Sequence, residues 1–133
     1  MTRLAVLDLD GTLLDTLDDL ATSVNAALAA VGLPPRPRAE IERFVGEGAR
    51  LLLARAVAPR LDLLEPAREA RWTHYRANCL VQTRPFPGIS GLLTRSGRRL
   101  AVHTNKPGSL ARQILAGLGL LERFAIVTGG DEA

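Results

Sequence analysis

Apolar residues in this chain recur with two periods, and the alternation between them sets out the elements. Leu4-Ala5-Val6-Leu7, with Leu9 beyond, is a short apolar run that reads as a buried strand. It delivers two acids, Asp8 and Asp10, to its C-terminal end ahead of Gly11-Thr12. Arg99-Leu100-Ala101-Val102-His103-Thr104-Asn105 repeats that plan, with apolar residues ending in polar ones. Phe124-Ala125-Ile126-Val127-Thr128 reads as a third strand, and Gly129-Gly130-Asp131 as its exit turn. Between the first two runs the period becomes 3.6. Leu17, Leu20, Ala21, Val24, Leu28 and Val31 predict a helix opened by Thr16 as N-cap, with Asp19 in a capping-box-like position, and ended by Gly32, Pro34 and Pro35. The positive end of that helix accounts for Asp18 and Asp19 without any catalytic role. Ala39 to Phe44 reads as a short helix, Val45 to Gly48 as a turn, and Ala49 to Ala58 as a helix closed by Pro59. A further helix, with Pro66 at its first position, carries Trp72, Tyr75 and Cys79 on one packing face. His74 on that helix has no ligand-forming residue at metal spacing and reads as a surface or core histidine. Ile89, Leu92 and Leu93 mark a short amphipathic helix ending near Gly97. Ser109 is expected to cap a helix with Leu110, Ile114, Leu115 and Leu118 inward and Gly119 as its stop.

No strand pattern appears between Asp15 and Pro85, so an all-helical insertion of about 70 residues separates the first strand from the second. Arg84-Pro85-Phe86-Pro87-Gly88-Ile89 is the Pro/Gly-rich return. The order strand, helices, strand, helix, strand predicts an α/β fold with a parallel sheet. Residues 1–14 and 87–133 form its core, and residues 15–86 form the helical insertion.

Composition narrows the class of protein. With 47% hydrophobic and 23% charged residues, the 133-residue chain has enough apolar material for one core and is neither disordered nor fibrous. The net charge of +3 raises nucleic acid as a partner. Yet the 17 basic residues are 16 Arg and one Lys, spread without a block or an aromatic platform, which describes a solvated surface. No run approaches the length of a membrane span, and no signal-peptide pattern opens the chain, so the cytoplasm is the default location. The single cysteine, Cys79, excludes an internal disulfide and reads as a small core residue.

The chemistry lies where the strands end. Alternation along a strand places Asp8 and Asp10 on the same side, one pleat apart. Two carboxylates held that close need a cation or a shared proton, and a bound divalent metal is the simplest answer; turn-forming aspartates without a ligand are the plain alternative. Gly11 permits a sharp turn, and its free N–H, with that of Leu9, is placed to face an anion. Ligands of open parallel sheets bind beyond the carboxyl ends of the strands. Thr104, Asn105 and Lys106 therefore arrive at the same edge as Asp8 and Asp10. A hydroxyl, an amide and an ammonium are all donors suited to phosphoryl oxygens. An ordinary helix-start role remains open for Lys106, and His103 reads as a packed histidine.

The string Asp8-Leu9-Asp10-Gly11-Thr12-Leu13-Leu14-Asp15-Thr16 resembles motif I of the haloacid dehalogenase-like phosphatases and is similar in particular to their phosphoglycolate phosphatase branch. Val102-His103-Thr104-Asn105-Lys106-Pro107 resembles motif II, with His103 where the family has a second aliphatic residue. The resemblance implies that Asp8 is the nucleophile, that Asp10 is the general acid/base, and that Mg²⁺ sits between them. It further implies that Thr104 holds the transferring phosphoryl and that the helical insertion is a cap. Val45-Gly46-Glu47-Gly48-Ala49-Arg50 then resembles the cap's substrate loop, where Arg50 either meets a substrate carboxylate or is a plain helix-start arginine. The implied substrate is a small phosphorylated metabolite, most directly 2-phosphoglycolate, with no nucleic acid and no membrane involved. The family's lysine motif III and acidic motif IV have no counterpart among these residues, and Lys106 is near enough in sequence to substitute in part for the lysine. The expected fold is thus a partial Rossmann-like three-layer core, lacking its C-terminal part, with an inserted helical cap. An inactive fragment of that fold and a related sugar-phosphate phosphatase or phosphomutase stay open as alternatives. A core of this kind is expected to leave the opening strand with a row of unpaired backbone groups and an exposed apolar face, and so to self-associate, aggregate or borrow a strand from a partner.

Overall fold

A computed structural model of the chain describes residues 3–45 and 49–131. In chain order the elements are β1 (Leu4–Leu7), β2 (Leu14–Asp15), α1 (Leu17–Ala30), α2 (Arg38–Phe44), α3 (Ala49–Val57), α4 (Leu64–Asn78), β3 (Arg84–Pro85), α5 (Ile89–Arg95), β4 (Arg99–His103), α6 (Gly108–Gly117) and β5 (Ile126–Thr128). Short 3₁₀ turns at Leu61–Leu63 and Leu121–Arg123 precede α4 and β5. The chain divides into two compact units: Met1–Thr16 with Thr83–Ala133, and Leu17–Gln82.

The first unit is the α/β core anticipated from the strand and helix periods. Its sheet has the order β1-β4-β5. All pairings are parallel, with Leu4 beside Arg99, Leu7 beside Val102, and Val102 beside Val127. Both crossovers step across the sheet in the same direction, so right-handed connections put α5 and α6 on one face. Burial identifies that face by the alternating residues Leu100, Val102 and Val127. The other face carries Val6, Ala101 and Ile126 in one row across the three strands. Val6 is 61% exposed, Ile126 52%, and Leu4, on the same side of β1, 55%.

This arrangement corrects two expectations. The opening apolar run is not buried on both faces: β1 lies at the sheet edge among the described residues, and Leu4 and Val6 stand on its open face, the apolar face expected of an opening strand without a second neighbour. His103, at the end of β4, is exposed rather than packed, and its Nδ1 lies 2.9 Å from Thr128 Oγ1. A further departure is the antiparallel ribbon of β2 and β3, in which Leu14 faces Pro85 and Asp15 faces Arg84. Phe86 N–H extends it with a bond to Leu13 O at 3.1 Å. Two-residue strands are too short to show alternation, so the stretch from Asp15 to Pro85 gave no strand signal. Leu92 faces outward on α5 while Leu93 is buried.

The second unit is helical. Ala21, Val24, Ala27 and Leu28 of α1, Ile41 of α2, Leu52, Leu53, Ala56 and Val57 of α3, and Leu64 and Ala67 of α4 form one core. α1 packs along α4, whose Tyr75 is fully buried, with Cys79 buried one turn on. α1 ends in a Schellman motif: Leu33 N–H donates to Leu28 O at 2.9 Å and Gly32, at φ +78°, donates to Ala29 O at 3.2 Å. Pro66 is the third residue of α4, not its first. The capping-box expectation at α1 also changes, since the buried Asp19 carboxylate accepts the Gln82 N–H, at 3.0 and 2.9 Å from its two oxygens. A buried acid so engaged ties the first turn of α1 to the end of the unit. Among the described residues no helix is long and apolar enough to cross a membrane.

Candidate active site

β1 stops at Leu7, and the chain then folds around the carbonyl of Leu9. Leu13 and Leu14 N–H both donate to Leu9 O at 3.0 Å, and Gly11, at φ +76°, donates its own N–H to Leu14 O at 3.0 Å. The Leu9 side chain is fully buried, so it pins the loop from inside while Asp8 on one side of it is exposed. Asp8 Oδ1 accepts the Leu9 N–H at 2.7 Å. The expectation that Leu9 and Gly11 offer free N–H groups to an anion is therefore corrected: closing the turn uses the N–H of Gly11, and the adjacent carboxylate takes that of Leu9.

Asp10 is held from two directions. Its Oδ1 accepts a hydrogen bond from Thr16 Oγ1 at 2.6 Å and lies 3.2 Å from Lys106 Nζ. Thr16 and Lys106 are both buried, and the Asp10 side chain keeps 23% of its surface exposed. At an effective dielectric of about 20, Coulomb attraction across that gap is about 5 kcal/mol, set against the cost of desolvating both groups. Lys106 is thus more than a helix-start lysine. Thr16, read from sequence as an N-cap, spends its hydroxyl on Asp10. A short polar residue just before a helix looks like a cap in any sequence, which is why this role was missed; its only signal was its place in the Asp8–Thr16 string.

The second loop leaves β4 at His103. Thr104 is buried, donates its N–H to Thr128 O at 3.1 Å, and accepts the Lys106 N–H on its Oγ1 at 3.2 Å; Asn105 beside it is exposed. Thr104, Asn105 and Lys106 accordingly occupy the carboxyl edge of the parallel sheet together with Asp8 and Asp10. Ser109 does not cap α6. The helix starts one residue earlier, its N-cap residue Pro107 makes no side-chain cap, and the Gly108 N–H is met by Asp131 Oδ1 at 2.8 Å. Sequence reasoning had read Asp131 only as part of an exit turn.

Arg50 belongs to the helical unit. It lies in the first turn of α3, is exposed, and pairs with Glu65 of α4 at 2.9 Å. That pairing holds the Glu65 carboxyl below its ordinary range, chiefly through the hydrogen bond from Arg50. Residues 46–48 of the loop that precedes Arg50 lie outside the described residues.

For a divalent metal, the donor set is hard oxygen. Among the described residues no three His, Cys, Asp or Glu side chains converge; the carboxylates of the β1 exit are Asp8, which is exposed, and Asp10, which keeps 23% of its side chain exposed. Mg²⁺ is commonly held by one or two carboxylates, completed by waters and phosphate oxygens, and this pair fits that pattern.

The sequence pattern described as haloacid dehalogenase-like hydrolase matches residues 2–133. A phosphoglycolate phosphatase of Agrobacterium fabrum is 43% identical over 98% of this chain and 60% of its own length. One from Rhodospirillum rubrum is 41% identical over 98% and 59% respectively. The crystal structure of a predicted phosphoglycolate phosphatase from Haemophilus somnus aligns with a TM-score of 0.91 at 31% identity, covering 99% of this chain and 64% of that one. The chain thus spans about three-fifths of the length of the curated relatives it matches. With a parallel sheet delivering Asp8 and Asp10 to its carboxyl edge and a helical unit inserted after the first strand, the chain belongs to the haloacid dehalogenase-like hydrolases.

Proposed function

We propose that the chain carries the catalytic aspartates of a Mg²⁺-dependent phosphatase acting on small phosphorylated metabolites, with 2-phosphoglycolate as its substrate. The observation that carries this reading is the contrast between the two acids. Asp8 is exposed and keeps an oxygen to spare, while Asp10 is oriented by Thr16 and Lys106. An Asp8 oxygen attacks phosphorus, the P–O bond to the alcohol breaks, and Asp10, entering this step in its protonated form, gives its proton to the departing oxygen. Water then attacks the aspartyl phosphate, Asp10 takes the water's proton, and the P–O bond to Asp8 breaks, returning the carboxylate. Thr104, Asn105 and Lys106 donate to the phosphoryl oxygens and hold the group in line. Mg²⁺ bound by Asp8 and Asp10 would supply charge neutralisation at those oxygens.

In this reading the helical unit is the cap that excludes water and reads the rest of the substrate, and Arg50 leaves Glu65 to grip a carboxylate of the substrate. The names of the relatives support the choice of substrate. The outward side of β1, with Leu4 and Val6, is proposed as a surface through which the chain self-associates. The test of the catalytic reading is release of inorganic phosphate from 2-phosphoglycolate in Mg²⁺, lost in Asp8→Asn. Equal release by wild type and Asp8→Asn, or none above blank from wild type, would overturn it.

A further inference from the structure

The loop that presents Thr104, Asn105 and Lys106 is tied internally where Thr104 Oγ1 accepts the Lys106 N–H, but its exit into α6 is not. Its own helix start offers no cap, because Pro107 has neither a side-chain acceptor nor an N–H. Support comes instead from the turn after β5, more than twenty residues later. Asp131 Oδ1 accepts the Gly108 N–H at 2.8 Å, and Gly130 N–H donates to Lys106 O at 2.9 Å. Between these two bonds the backbones touch without room for side chains. A Cβ on Gly129 would lie 2.1 Å from Gly108 N and 2.4 Å from Lys106 O, and one on Gly130 would lie 2.7 Å from Asn105 O. All these partners are backbone atoms, which cannot rotate away as the end of a flexible side chain does.

We propose that Gly129-Gly130-Asp131 is the positioning element of the Thr104–Lys106 loop, with Asp131 as a positioning residue that sets the reach of the Lys106 ammonium to Asp10. The two glycines let the turn approach the loop backbone, and the carboxylate closes the contact by capping α6 from outside its own sequence. The loop is thereby clamped on both sides of Pro107, at Lys106 O and at Gly108 N. Lys106 Nζ reaches Asp10 from that clamped backbone. The inference rests on the proposed phosphatase chemistry only for its effect on turnover; its effect on Lys106 stands apart from any activity.

Lys106 is the single lysine of the chain, so its reactivity can be read alone. Reductive methylation of the full chain with ¹³C-formaldehyde labels Lys106 Nζ and the N-terminal amine, and the second signal serves as internal reference. In wild type the buried, paired ammonium reacts slowly. Asp131→Ala is expected to raise the Lys106 rate relative to the N-terminus about tenfold, the effect of losing one charge-assisted bond on a local opening equilibrium. Asp131→Asn, which keeps the acceptor oxygen, stays near wild type. Gly130→Ala, which displaces the loop by contact and removes no acceptor, raises the rate as Asp131→Ala does. Leu115→Ala empties core volume under α6 and reports general destabilisation; it leaves the relative rate near wild type in conditions where the chain stays folded. Unchanged Lys106 reactivity in Gly130→Ala, or an increase in Leu115→Ala as large as in Asp131→Ala, would overturn the proposal. If Asp131→Ala does not fold, Gly130→Ala decides. Where phosphate release is measurable, Asp131→Ala lowers kcat with KM little changed and Asp131→Asn restores it. Absence of turnover in every form, wild type included, refutes the phosphatase reading and leaves the reactivity result standing.

Discussion

Replacing Thr16 with valine tests whether Asp10 has to be oriented. The substitution keeps the branched shape at a buried position and removes the one hydroxyl that donates to Asp10 Oδ1 at 2.6 Å. A hydrogen bond to a charged acceptor contributes about 1.5–3 kcal/mol. No water readily replaces it, because Thr16 is buried, so the carboxylate oxygen is left with Lys106 at 3.2 Å. If the bond matters most when Asp10 moves a proton, its loss appears in the transition state. The expected fall in kcat is then about ten- to hundredfold. KM should change little if Thr16 acts through its bond to Asp10 alone. The assay is phosphate release from 2-phosphoglycolate over a range of concentrations, paired with urea unfolding so that lost stability is separated from lost rate. Thr16→Ser, which keeps the hydroxyl, should recover most of the rate. A Thr16→Val protein with wild-type kcat, in a series where Asp8→Asn is inactive, would show that Asp10 does not depend on this contact.

Lys106→Met removes the ammonium from both Asp10 and the phosphoryl position, and kcat/KM should fall about 100-fold or more. Lys106→Arg should not restore it, since a planar fork cannot replace a point charge in that buried space; full activity of either variant would refute the role. Glu65 gives a pH prediction with a definite sign. Its carboxyl titrates below the ordinary 4.5 because Arg50 donates to it, so the pair's stabilisation is present above that value and disappears as pH falls through the lowered one. Arg50→Ala should move the Glu65 titration upward in a carboxyl-resolved NMR titration, and an unmoved curve would count against the pairing. Self-association through β1 should appear in light scattering and weaken in Val6→Lys, which places a charge on the exposed face of this edge strand. A monodisperse, cooperatively melting wild-type monomer would end that proposal.

Periodicity carried much of this fold. The helices and the three parallel strands stand where alternation and the 3.6-residue repeat put them, because those patterns record which side of an element meets a core. An apolar run, however, is silent on whether both faces of its strand are covered, and so Leu4 and Val6 were misplaced inward. Likewise, a polar residue near a chain reversal does not reveal which backbone group it serves. Thr16 bonds Asp10 six residues back, and Asp131 caps a helix whose first residue lies 23 positions earlier. The N–H groups of Leu9 and Gly11 looked available only because the turn's own hydrogen bonds are a matter of geometry. Asp8, Asp10, Thr104, Asn105 and Lys106 were legible as a group because parallel strands bring their carboxyl ends to one edge.

The inserted helical unit also bears on how the sheet assembles. Leu7 and Val102 pair across about 95 residues of chain, whereas Val102 and Val127 pair across about 25, and closure entropy grows with the logarithm of that separation. The unit Leu17–Gln82 has its own core and holds about two-thirds of the longer loop. Once it has collapsed, the free chain left between β1 and β4 is about as long as that between β4 and β5, which lowers the closure cost by about 1 kcal/mol. The insertion that separates the two halves of the site in sequence thus shortens the search that brings them together.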